Sequence, residues 1–189
     1  GDSALLNING TKLAFTTDSY VVKPLFFPGG DIGMLAVNGT INDLAVVGAK
    51  PMFLSAGFII EEGFELSLLE KVANSMKEAA TLASVEIVTG DTKVVEKGSV
   101  DGLYMNTCGI GIVNNGINLC TSLIEIGDKI IISGTIGDHG MAVLSERESL
   151  GFTPSITSDC APLSGMIKKI LASGSRIKFM RDPTRGGLA

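Results

Sequence analysis

The stretch from Pro28 to Pro51, PGGDIGMLAVNGTINDLAVVGAKP, leaves this chain the fewest structural options. Asp31 stands behind Gly29-Gly30 as an N-cap, and Gly48 with Pro51 supplies the stop, so the segment between them reads as a helix. At 100° per residue, Ile32, Leu35, Val37, Ile41, Leu44 and Val46 point in nearly every direction, which predicts a helix covered on most sides. Asp43 falls on the side shared by Ile32, Ala36 and Val47. A carboxylate there is costly to bury without a cation or strong donors, so the pattern demands a partner for Asp43. Bonding of Asn42 and Asp43 to nearby backbone is the competing reading.

Around this helix the remaining pattern alternates strand and helix. Ala4 to Ile8 and Lys12 to Thr16 flank Asn9-Gly10 as a hairpin, whose second strand ends at Thr16 to Ser19 before Tyr20 to Val22 resume a β-rich pattern. Residues 52 to 60 form a short apolar strand. Ser67 with Glu70 makes a capping box for an amphipathic helix carrying Leu69, Val72, Ala73, Met76, Ala80 and Ala83. The strand VEIVTG leads into Asp91-Thr92-Lys93, and residues 103 to 113 form another long strand. NNGIN, residues 114 to 118, has linker chemistry and marks a domain boundary. Beyond it the expectations are a buried strand at Lys129 to Ser133, a helix after GTIGDHG running to about Leu150, a helix at Asp159 to Leu171 with Pro162 in its first turn, and a strand at Arg176 to Met180.

A chain of 189 residues, 45% hydrophobic and 19% charged, holds one large domain or one domain and part of another. Its net charge is −5 and its basic residues are scattered, which excludes a nucleic-acid interface. No apolar run approaches ~18 residues and GDSALLNING lacks the features of a secretory signal, so neither membrane insertion nor export is expected. Cys108, Cys120 and Cys160 are odd in number and far apart, which suits a reducing cytoplasmic compartment and buried thiols rather than disulfides. With His139 as the single histidine, a zinc site of the usual composition is not expected.

Asp2, Asp18, Asp43 and Asp91 are hard oxygen ligands beside Gly, Ser, Thr or Asn, and convergence of several on one cleft would suit Mg²⁺ with a nucleotide. Each taken alone is as readily a turn former. Lys93 adds a cation where it meets a phosphate or a reacting group, or it is a solvated edge-strand lysine. The Gly-rich loops 28 to 33 and 134 to 140 offer backbone N–H groups, but neither GxxxxGK[ST] nor GxGxxG occurs. His139 beside Asp138 reads either as an acid or base or as a loop histidine held by a backbone bond.

The segments TTDSYVVKPLFFPGGDIGMLAVNGTINDLAVVGAKP, FIIEEGF, VTGDTKVV, SGTIGDHG and MRDPTRGGLA resemble the hydrogenase-maturation carbamoyl dehydratases, the hydrogenase expression/formation protein E family. TTD, NDLAVVGAKP and GDT are shared more widely, with aminoimidazole ribonucleotide synthetase, selenophosphate synthetase and thiamine-monophosphate kinase. PGGDIG, GDTKVV, GDHG and RDPTRGG in this order point to the hydrogenase branch. The resemblance implies an α/β (α+β) fold of the aminoimidazole ribonucleotide synthetase type. Residues 1 to 115 would be an N-terminal ATP-binding domain whose strands form a barrel with a dimer mate, and residues 118 to 189 a truncated C-terminal α/β domain.

The same resemblance implies an ATP-dependent dehydration of a carbamoylated C-terminal cysteine to a thiocyanate, the source of the cyanide ligand of nickel-iron hydrogenase. It gives Mg²⁺ to Asp2, Asp18, Asp43 and Asp91, and nucleotide contacts to Asp18, Asn42, Asp91 and Thr92. Lys93 stands beside the reacting group and His139 follows it. The implied partners are a homodimer mate, a carbamoyltransferase and iron-carrying maturation scaffold proteins. The dimer is also expected from the hairpin and strands 52 to 60 and 103 to 113, which would otherwise leave an open sheet edge. The Gly-rich segment before Asp2, the rest of the second domain and the tail cysteine are missing relative to the family pattern, so this chain alone is expected to make no thiocyanate. A related small-molecule kinase, such as thiamine-monophosphate kinase, and a non-catalytic dimeric nucleotide-binding module are the alternatives.

Overall fold

The computed structural model describes residues 2–152 and 155–184. Two antiparallel strands, β1 (Ala4–Ile8) and β2 (Thr11–Tyr20), are joined through Asn9 at φ 51° and Gly10 at φ 86°, the left-handed pair that an Asn-Gly turn tolerates. The expected break between Thr16 and Ser19 is absent, because β2 stays paired from Leu13 to Tyr20 with a neighbouring strand. A short pair, β3 (Phe26–Phe27) and β4 (Gly30–Asp31), leads into α1 (Ile32–Val46). Asp31 caps it as read from sequence, its Oδ1 accepting from the N–H groups of Gly33 at 2.7 Å and Met34 at 3.1 Å.

The order then continues as β5 (Ala49–Glu61), α2 (Leu66–Leu82), β6 (Glu86–Val95), β7 (Leu103–Val113), α3 (Asp138–Glu148) and α4 (Ser164–Ala172). The sheet order is β1-β2-β7-β5-β6, with β5 and β6 parallel across α2 and the other pairs antiparallel. α1 lies on one face of the sheet, against β2, β7 and β5, with α2 beside it and α4 behind it. It is covered on most sides as expected: Ile32, Val37 and Ile41 are sealed from solvent among Leu54, Leu103, Met105 and Val72, and Leu44 is sealed among Ala14, Ala49 and Val113. Each such side chain contributes about 1.5–3 kcal/mol of transfer free energy. A buried polar string crosses this layer. The Tyr20 hydroxyl meets Thr40 Oγ1 at 3.1 Å, Thr40 meets Thr107, and Thr107 Oγ1 donates to the Ala36 carbonyl at 3.1 Å.

Several sequence expectations are corrected. α2 begins at Leu66 with Glu65 as its N-cap and no side-chain cap bond, so Ser67 sits inside the first turn and the capping box does not form. β6 continues through Asp91, Thr92 and Lys93 because β5 pairs with it as far as Val95, so these residues are within a strand rather than after one. The helix expected from Asp159 starts at Ser164; residues 159 to 163 lead into it without regular structure, with Leu163 in the helical region as its N-cap. Among the described residues neither 129 to 133 nor 176 to 180 is a strand; with no ladder partner, Ile130 and Ile131 stay in solvent. Of the strands expected to leave an open edge, the hairpin strand β1 does so, whereas β5 and β7 are interior and the other edge is β6. What lies open is a face. Phe15, Phe53, Ile59, Ile110 and Ile112 project away from α1, each 38–42% exposed.

Candidate functional site

Alternation along β2 puts Thr16, Asp18 and Tyr20 on the face that α1 covers, and the helical position of Asp43 turns its carboxylate toward them. Thr16 Oγ1 lies 3.1 Å from Asp43 Oδ2 and 2.9 Å from the Asp2 carbonyl. A hydroxyl carries one hydrogen, so Asp43 receives less than one full donor. The Ser3 hydroxyl donates to the Asp43 carbonyl at 2.9 Å, holding the N-terminal residues across the helix.

The partner that sequence demanded for Asp43 is therefore weak, and its other neighbours are acids. Burial pushes the Asp43 carboxyl up to about 7, with the charges of Asp182, Asp2 and Asp18 adding to the rise and the Thr16 bond opposing it. Asp182 is raised as well, first by burial and then by Asp2, against a backbone bond from Thr184. Four carboxylates thus converge from the N-terminus, β2, α1 and the segment after Met180. Among the described residues no group of three or more His, Cys, Asp or Glu side chains is close enough to hold a metal ion by itself.

The other sequence candidates are dispersed. Asp91 and Lys93 are exposed on edge strand β6, opposite Gly57 and Ile59, and share the open face of the sheet; Thr92 alternates to the other face. Three strand spacings, roughly 14 Å, separate β6 from β2, so Asp91 does not join the acids around Asp43. Asn42 is fully engaged with backbone. Its Nδ2 donates to the Ala161 carbonyl at 3.0 Å and its Oδ1 accepts from the Leu163 N–H at 2.8 Å, which pins residues 161 to 163 against α1.

His139 stands in the first turn of α3, half-buried, with its ring edge against Phe27 at a centroid distance of 5.1 Å. Its N–H donates to Asp159 Oδ1 at 3.0 Å and its Nδ1 lies 3.1 Å from Ser158 Oγ. Burial lowers the pKa of the ring, opposed by Asp159, so it is neutral at pH 7. It lines a cleft of about 480 Å³ between the end of β2 and α3, together with Ser19, Tyr20 and Arg147. Arg147 donates from Nε and Nη2 to the Lys23 carbonyl, fixing the opposite lip.

Asp182, Thr16 and Ser158 were not singled out from sequence. Asp182 belongs to the RDPTRGG motif, which reads as a loop, and only the fold brings it to Asp43; residues 185 to 187 of that motif lie outside the described residues. Cys108 is in a strand as expected. Cys160 is in the irregular segment before α4 rather than at a helix start, and burial pushes its thiol pKa up, which weakens it as a nucleophile.

Residues 1–113 match the family described as AIR synthase related protein, N-terminal domain, and residues 125–189 match the corresponding C-terminal domain. The chain is 52% identical over 189 residues to the carbamoyl dehydratase HypE of Bradyrhizobium diazoefficiens, covering 100% of this chain and 55% of that protein. A crystal structure of a HypE-HypF complex superposes with a TM-score of 0.93 at 59% identity, over 98% of this chain and 60% of that one. The hydrogenase maturation protein HypE in complex with ATP gives 0.91 at 49% identity, over 100% of this chain and 56% of that one. The chain spans about half the length of the curated relatives it matches.

Proposed function

This chain belongs to the AIR synthase related family, and we propose that it carries the nucleotide-handling part of an ATP-dependent carbamoyl dehydratase of nickel-iron hydrogenase maturation. Identity of 50–54% with proteins of that name over the length of the chain supports the reading. In the reaction the γ-phosphoryl of ATP passes to the oxygen of a cysteine-bound carbamoyl group. That oxygen then leaves with phosphate and the nitrogen gives up its two protons, forming the thiocyanate. The net change is loss of one water, coupled to conversion of ATP to ADP and phosphate.

The observation that carries the nucleotide reading is the crowding of carboxylates at Asp43. A carboxyl raised to about 7 among other acids, with less than one donor, is poised for a cation. Mg²⁺ fits that donor set, since it takes one or two carboxylates and completes its shell with phosphate oxygens and water. When bound it neutralises charge on the transferring phosphoryl. Asp43 with one of its acid neighbours, Asp2, Asp18 or Asp182, would hold it directly, the remaining acids acting through water. Asp91 and Thr92 take nucleotide contacts from β6, and Asn42 acts by clamping residues 161 to 163 beside the acids. Lys93 and His139 remain the groups assigned to the reacting carbamoyl.

The open face is where a second copy would pack, closing the two sheets into a barrel and bringing Asp91 and Lys93 out of solvent. An exposed apolar sheet face of this kind is what a homodimer interface would cover. We place the domains at residues 1–115 and 118–189, the protein in the cytoplasm, and a carbamoyltransferase and an iron-carrying scaffold as its partners. A monomer by light scattering at micromolar concentration, with the fold intact, would count against the dimer.

The reading is tested on the tail-bearing protein by following phosphate release with mass spectrometry of the C-terminal peptide, in wild type, Asp43→Asn and Lys93→Ala. Both variants are expected to lose conversion of the carbamoyl adduct to thiocyanate. Phosphate release that depends on an added small molecule, with an unmodified cysteine, would assign the protein to small-molecule kinases instead.

A further inference from the structure

The Ser158 hydroxyl has two neighbours among the described residues, the Cys160 N–H at 3.1 Å and His139 Nδ1 at 3.1 Å. The first is a donor, so Oγ accepts there. A hydroxyl has a single hydrogen, and a neutral imidazole has one N–H and one bare nitrogen. If His139 carried its proton on Nδ1, Ser158 would accept twice and its own hydrogen would have no acceptor among the described residues. If Ser158 donates to Nδ1, the Cys160 N–H, the Ser158 hydroxyl and Nδ1 form one directional chain in which each bond polarises the next, and the hydrogen left over is the Nε2–H of the ring.

Ser158 is itself placed by the N-terminal half. Its N–H donates to the Pro28 carbonyl at 2.8 Å, and the backbone passes so close to Gly29 that a Cβ there would stand 2.8 Å from Ser158 N and 3.0 Å from its carbonyl oxygen. Glycine at 29 is therefore a condition of the docking.

We propose that Ser158, anchored on the Pro28-Gly29 turn, is a positioning residue that holds neutral His139 with its proton on Nε2. The ring then presents an N–H donor, not a base, to the cleft between β2 and α3, suited to an anionic oxygen such as that of a phosphate. The proposal rests on the assignment of His139 to the functional site and specifies the form in which it acts. It also links the two halves of the chain, since docking of 157 to 160 on the N-terminal turn sets the protonation pattern of a side chain on α3.

Because His139 is the single histidine, isotope labelling of histidine gives one pair of ring nitrogen resonances. At about pH 8, where the ring is neutral, the wild type should show Nε2 protonated and Nδ1 bare. Ser158→Ala should move the pair toward the other tautomer or an average, and Ser158→Thr, which keeps the hydroxyl, should restore the wild-type pattern. A wild-type protein protonated on Nδ1 overturns the proposal whatever the variants do, as does an unchanged pattern in a folded Ser158→Ala. Adding Mg-ATP to the same sample separates the two ideas. Movement of the Nε2 resonance supports both, whereas a fixed Nε2-protonated pattern upholds the positioning by Ser158 and overturns the placement of His139 beside the reacting groups.

Discussion

Strand β7 and the run at Lys129 to Ser133 carry much the same kind of residue and meet opposite fates. In β7, Leu103, Met105 and Val113 are almost fully buried between two partner strands and α1, whereas Ile130 is 91% and Ile131 85% exposed. The contrast extends to the halves around them. The N-terminal half closes its own core, while among the described residues the buried apolar ones after residue 125 are Ala142, Val143 and Ile167, and Ile167 is covered by Ala45 and Val46 of α1. An apolar run specifies a strand only where a ladder partner exists to receive it.

The strongest way to break this contrast is to cut the same side chain in each half. Ile41→Ala, at a site with no exposure, should cost about 2–5 kcal/mol in urea unfolding. Ile131→Ala should stay within about 0.5 kcal/mol of wild type. Equal losses at the two sites would mean that the segment 129 to 133 is packed in solution and that the contrast is false.

Glycine replacements sharpen it. At Gly33 a Cβ would stand 2.5 Å from the Val72 carbonyl, where α1 and α2 cross, so Gly33→Ala should cost about 1–3 kcal/mol. Gly140, in α3, has nothing within 4 Å of the same position, and Gly140→Ala should stabilise that helix by up to about 1 kcal/mol. Thermal unfolding midpoints moving in the same direction would refute the difference in packing.

What could be read from the chain follows the same division. The Asn9-Gly10 turn, the Asp31 cap and the covered α1 were legible because each depends on residues within a turn or two of itself. The capping box at Ser67 misled because the pattern S-x-x-E fits a start two residues too late. At the site, Asp2, Asp18 and Asp43 were nameable as acids, but their convergence with Asp182 depends on a contact spanning 139 positions, which no local pattern encodes. Asp91 was grouped with them by residue type, and the strand order sets it three strands away.

The acid cluster gives a pH test of where the two halves meet. Asp43 has a folded pKa near 7 against an ordinary 3.8, so the folded form holds more protons than the unfolded one between those values. Its contribution is favourable below pH 3.8, is lost as pH rises toward 7 and stays lost above it. Asp43→Asn should therefore raise stability at neutral to alkaline pH by about 1 kcal/mol and flatten the slope between those limits, with a remainder from Asp182. In the whole protein the same change should weaken Mg-ATP binding by calorimetry. A variant destabilised at alkaline pH would show that Asp43 has a donor stronger than Thr16.

The smallest effects are expected at the helix caps, where the difference between the halves is one of distance along the chain. α1 is capped by Asp31, the residue just before it, through two N–H bonds. α3 has Gly137 at its N-cap with no side-chain bond of its own, and its His139 N–H is met instead by Asp159, twenty positions later. A local cap forms as soon as the helix does, so Asp31→Ala should cost about 1 kcal/mol of global stability. The bond from Asp159 exists only while residues 157 to 160 are docked, so Asp159→Ala should cost about half of that and act on α3 alone. Hydrogen exchange distinguishes the two. Loss of Asp159 should speed exchange across the first turn of α3 and leave α1 and the sheet as protected as before, because local openings sample their own region rather than the whole fold. If Asp159→Ala instead accelerated exchange in β7 and α1 together, α3 would have to be part of the same cooperative unit as the N-terminal core, and the two halves would not differ in the way their packing says they do.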